Sequence, residues 1–68
     1  MTMTIIDTVY AVVADLSIDG DLDCHAYYIA EEAYLSRAQT GAALRRLVAT
    51  GRIIRRERSD GPRWSVAH

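Results

Sequence analysis

Residues 29–54 read IAEEAYLSRAQTGAALRRLVATGRII, a stretch that holds two helix boundaries and the start of a strand. Ser36 precedes a run in which Thr40, Ala43, Leu44 and Leu47 recur at spacings of three and four, so the pattern predicts an amphipathic helix over about 37–49 with Ser36 as N-cap. Arg37, Gly41 and Arg45 lie four apart on its opposite side. Thr50-Gly51 ends it, Gly51 standing where a left-handed residue after the helix is wanted. Upstream, Tyr27, Ile29, Ala30 and Ala33 supply the apolar contacts of a second helix over about 24–33, capped by Asp23 and interrupted at Leu35-Ser36. Downstream, Ile53-Ile54 opens a β-branched segment and Ser59-Asp60-Gly61-Pro62 forms a turn. Beyond it the chain alternates, Arg63 out, Trp64 in, Ser65 out and Val66 in, which predicts a hairpin over about 52–67.

Before this stretch, Ile5, Ile6, Val9, Tyr10, Val12, Val13 and Leu16 form the apolar side of a first helix over about 4–16, with Thr4 as N-cap and Asp7 in the first turn. Their stripe is wide enough to offer part of itself to a second copy of the chain. Asp19, Asp21 and Asp23 alternate as in a calcium loop, but the glycine and distal glutamate do not follow at the required offsets, and a solvated acidic turn is expected. The expected fold class is α+β, three helices and a C-terminal two-stranded hairpin in one domain spanning residues 1–68.

Composition agrees with a small globular domain: 68 residues, 50% hydrophobic and 25% charged. So short a chain buries about 60% of its unfolded surface, which makes its stability marginal. Cys24 is the one cysteine and cannot form an internal disulfide. Asp7 and Asp15 break the longest apolar stretch, and Met1–Ile6 has no basic residues, so neither a membrane span nor a secretory signal is expected and a cytoplasmic location is. The net charge of −1 conceals a division. Residues 1–34 carry Asp7, Asp15, Asp19, Asp21, Asp23, Glu31 and Glu32 and no Lys or Arg. Residues 35–68 carry Arg37, Arg45, Arg46, Arg52, Arg55, Arg56, Arg58 and Arg63 against only Glu57 and Asp60. Such asymmetry suits a polyanion on one side of the molecule.

Taken together, Ile29-Ala30-Glu31, Leu35-Ser36, Leu44-x-x-Leu47, Gly51-Arg52 and Ile53-Ile54 resemble, in order and spacing, the helix-turn-helix core of winged-helix transcription regulators. The resemblance covers residues 25–68, and the first helix is compatible with it. Tyr34 departs from it, because that family usually has Gly or another small residue at this turn. The resemblance implies sequence-specific binding of double-stranded DNA by a regulator, such as a repressor, or by a phage or plasmid accessory factor.

The residues suit that chemistry. A helix about 12 Å across enters the major groove, and its N-terminal side chains reach base edges. Arg37, Gln39, Gly41 and Arg45 would be presented there, Arg to guanine and Gln to adenine, with Ser36 gripping a phosphate. Arg55, Arg56, Arg58 and Arg63 surround the hairpin turn, where they suit phosphates or a narrow minor groove. Pro62-Arg63-Trp64 also resembles the hairpin of Z-DNA-binding winged helices, but Gly41 and Arg45 stand where those domains use Asn and Tyr, so B-form DNA is the expected target. No catalytic constellation is expected: Cys24-His25 and the distant His68 are neither a four-ligand zinc site nor an oriented nucleophile, and no metal or cofactor is called for. The other reading is a protein-binding winged helix, an anti-repressor or inhibitor from a mobile element, that docks through the acidic half or the hairpin. A homodimer through residues 5–16 is compatible with either.

Overall fold

A computed structural model of the chain describes residues 3–16 and 25–67. The acidic alternation at Asp19, Asp21 and Asp23, the capping role given to Asp23, Cys24 and the terminal His68 lie outside the described residues. Three helices, α1 (Ile5–Leu16), α2 (Ala26–Ala33) and α3 (Arg37–Ala49), are followed by an antiparallel hairpin of β1 (Ile53–Arg58) and β2 (Gly61–Val66). The fold is α+β, with the hairpin at the C-terminal end. Among the described residues, no helix is long and apolar enough to cross a membrane.

α1 starts where Thr4 closes a reciprocal cap. Its Oγ1 accepts from the Asp7 N–H at 3.1 Å, while its own N–H donates to the Asp7 carboxylate at 3.3 Å. Val9 and Val13 are fully buried, and Ile6, Tyr10, Val12 and Leu16 pack against the same core. Most of the wide stripe is therefore used within the chain; Ile5 is its exposed large apolar residue, and Met3, just before the helix, is exposed as well.

α2 begins at Ala26, two residues later than its apolar pattern suggests. His25 takes the N-cap position with an extended backbone and no side-chain cap bond. Its ring instead leans on Tyr28 at 6.2 Å and approaches Asp60 of the hairpin turn at 3.6 Å, contacts that hold it off the helix. Ile29 is the buried residue of α2. Tyr27, assigned from the sequence to the packed side, is exposed, as is Tyr28. An eight-residue helix laid on α1 and α3 has one line of residues facing both, and Ile29 fills it.

The turn between α2 and α3 is made by Tyr34 in a left-handed conformation, φ 56° and ψ 42°. Its N–H and that of Leu35 return to the carbonyls of Glu31 and Ala30, so the last turn of α2 is satisfied. The tyrosine ring is 94% exposed and offsets none of the steric cost of this backbone. Tyr34→Gly is therefore expected to stabilise the chain by about 1 kcal/mol, seen as a higher urea midpoint with an unchanged slope. A lowered midpoint would mean that the ring supports the fold.

α3 carries the core. Thr40, Ala43, Leu44 and Leu47 are its buried residues, the four that the periodicity selects. Past Thr50, Gly51 has φ 78°, and the N–H groups of Gly51 and Arg52 bond to Val48 and Leu47, a paired C-terminal cap that turns the chain into β1. Arg52 then ties this turn to α1, with its guanidinium 4.3 Å from the Tyr10 ring centre and 4.0 Å from Asp7.

Ile53 pairs with Val66, Arg55 with Trp64, Arg56 with Arg63 and Arg58 with Gly61. Trp64 is buried as expected, but Ser65, expected to face out, is buried too. β2 lies against α1 and α2 as well as β1, so this end of the ribbon is covered on both faces and strict alternation fails there.

Candidate nucleic-acid interface

α3 presents two kinds of side chain to the outside. Ala38 and Ala42 are small and exposed, and beside them stand Arg37 and, one and two turns further on, Gly41 and Arg45. The Arg45 guanidinium reaches back along the helix to within 3.6 Å of the point a Gly41 Cβ would occupy. Ser36, at φ −70° and ψ 162°, caps the helix: its Oγ accepts from the Gln39 N–H at 3.1 Å and its N–H donates to Gln39 Oε1 at 3.1 Å. Ser36 and Gln39 thus meet each other. Gln39 contributes order at the helix start through one acceptor position of its carbonyl, and its side-chain NH2 takes no part in the box. The Ser-x-x-Gln spacing was the signal in the sequence for this box.

The nine residues singled out by sequence do not form one surface. Arg37, Gly41, Arg45 and Arg55 line a single open groove of about 590 Å³ between α3 and the hairpin. In a ribbon, cross-strand partners share a face and neighbours alternate. Arg55 lies on the Trp64 face, with its guanidinium 5.8 Å from the Trp64 ring centre, whereas Arg56, Arg58 and Arg63 belong to the reverse face.

The arginines also differ in what holds them. Arg63 donates to Asp60 at 2.6 Å and Arg55 to Glu57 at 2.9 Å. The Arg63 bond, and then its charge, holds the Asp60 carboxyl below the usual carboxylate range, with His25 adding to the same effect. Arg56 stands directly across from Arg63, a like-charge pairing that Asp60 partly offsets. Arg37, Arg45, Arg46 and Arg56 form no ion pair among the described residues, so their charge is uncompensated where α3 and β1 are exposed.

Two features of the groove were not read from the sequence. Tyr27 and Ala26 of α2 contribute to its wall. Thr40, counted only as a core position, also lines it while 1% exposed, and its Oγ1 has no hydrogen-bond partner among the described residues. A buried hydroxyl without a partner carries a desolvation cost. Thr40→Val keeps the shape and removes that group, and is expected to stabilise the chain by about 1 kcal/mol in thermal or urea unfolding. Destabilisation would show that the hydroxyl is satisfied in solution.

No family model matches the chain, and no curated protein matches it.

Proposed function

We propose that the chain is a winged helix-turn-helix protein that binds double-stranded DNA, with α3 in the major groove and the hairpin against phosphates or the minor groove. One observation carries this reading: α3 exposes Arg37 and Arg45, free of ion pairs among the described residues, beside the small residues Ala38, Gly41 and Ala42. Small residues allow close approach to base edges, and unpaired guanidinium groups supply the donors that guanine accepts. Arg56 extends the positive charge onto the ribbon. The role that follows is a cytoplasmic transcription regulator or a phage or plasmid accessory factor. Two copies on adjacent half-sites would raise an affinity limited by few phosphate contacts, with Ile5 the exposed large apolar residue left on α1, and Met3 just before it, for such a contact.

The experiment is a salt titration of binding to random duplex DNA. Affinity is expected to fall steeply with salt. Arg56→Ala with Arg58→Ala is expected to lower the slope by roughly one unit for each phosphate no longer neutralised, about equally on all sequences. An unchanged slope and affinity would remove the hairpin from the interface.

A second reading has its own observation. α2 exposes Tyr27, Tyr28, Glu31 and Glu32, and Tyr34 follows at its end, an aromatic and acidic surface suited to a basic protein partner. No affinity for duplex DNA at low salt would make this protein-binding winged helix the better account.

A further inference from the structure

The groove between α3 and the hairpin contains more than a nucleic-acid strand uses. Its rim is cationic, with Arg37 and Arg45 on one side and Arg55 on the other. Its depth is apolar: Leu44 and Trp64 are buried core residues, Val48 stands beside them, and the orphan hydroxyl of Thr40 lies in the same wall. A phosphodiester backbone satisfies the rim but brings no apolar surface to the Trp64 side. The volume, about 590 Å³, lies in the usual range for small-molecule sites, where apolar walls with a few convergent polar groups are the rule.

We propose that this groove binds a small apolar anion, a flat ring-bearing carboxylate, and that an occupied groove denies α3 to DNA. The ring lies against Trp64, Leu44 and Val48. The carboxylate meets Arg37 and Arg45, whose charge is uncompensated, in preference to Arg55, which Glu57 already engages at 2.9 Å. Gly41 is part of the arrangement, because the Arg45 guanidinium passes over it to the rim. The exclusion follows from shared residues: Arg37 and Arg45 cannot hold a carboxylate and a base or phosphate at once. This second half rests on the DNA-binding reading above, whereas the binding site itself does not.

The test uses naphthoate as the probe and the chain's single tryptophan, Trp64, as the reporter. Naphthoate is expected to change Trp64 fluorescence saturably, and naphthamide, the uncharged counterpart, to bind about tenfold more weakly. Arg45→Gln is expected to reproduce that loss. No saturable response, or equal affinity for naphthoate and naphthamide, overturns the site. In the second arm, naphthoate is expected to release a fluorescent random duplex from the chain. A chain that binds both without competition overturns the exclusion. A chain that binds naphthoate but no duplex upholds the site and sinks the DNA-binding reading instead.

Discussion

Leu47→Ala is expected to leave a large fraction of the chain unfolded. Leu47 is fully buried on α3, in one cluster with Val9 and Val13 of α1, Ile29 of α2, Leu44, Ile53 and Trp64. Every element of the fold contributes to that cluster, so no neighbour can move into the space without opening a gap elsewhere. Truncating such a residue costs about 2–5 kcal/mol through the missing transfer energy and the cavity left behind. A domain of this length holds about 3–10 kcal/mol in total. The loss is therefore comparable with the whole stability, and the thermal transition should fall steeply or disappear. Val48→Ala, one residue along and exposed, is the control, with a change within about 1 kcal/mol. A Leu47→Ala chain as stable as the control would mean that the helices do not meet at this residue.

The second large effect concerns recognition. Arg37 occupies the first turn of α3, directly after the Ser36 cap, where a side chain projects beyond the helix end. It is exposed and has no ion pair among the described residues, so it can make a new contact without first breaking one of those. Under the DNA-binding reading, Arg37→Ala should cost about 1–3 kcal/mol on the preferred site and relax selectivity at one base pair. Arg45, two turns further along, should behave differently: its removal should weaken binding to all sequences with less effect on selectivity. The comparison is made by titrating labelled duplexes that carry the preferred site and its single-base variants. If Arg37→Ala leaves DNA binding intact but abolishes capture of a protein partner, the regulator reading gives way to the protein-binding one.

How much of this was readable in the residues differs from element to element. The core face of α3 was fully legible, because Thr40, Ala43, Leu44 and Leu47 obey helical spacing and Ser36 and Gly51 mark its ends locally. The hairpin was legible in Trp64 and in the place of its turn, although Gly61 and Pro62, read as turn residues, are the first two of β2. Ser65 was not legible, since its burial comes from α1 and α2 lying over β2, a tertiary fact that two-residue alternation cannot contain. The start of α2 was misplaced because His25 is held by Tyr28 and Asp60, the latter distant in sequence. Tyr34 stood out as unusual at a turn, but only the backbone angle shows that it occupies the left-handed position itself. For the candidate site, the arginines were visible one by one. Their division into a groove-lining set and a reverse-face set depends on the hairpin register, and their freedom or engagement depends on where Asp60 and Glu57 fall. Gln39 was read as a base contact, and the Ser-x-x-Gln spacing also contained the cap in which its carbonyl takes part.

Selection of bound sequences from a random pool of duplex DNA tests the central claim most directly, because it asks at once whether α3 binds DNA and whether it reads it. The unaltered chain is expected to enrich a short motif containing a guanine, and the same selection with Arg37→Ala is expected to return the motif with that one position randomised. A pool that stays random with the unaltered chain at low salt, where even few phosphate contacts hold, would contradict the assignment of α3 as a DNA-reading helix.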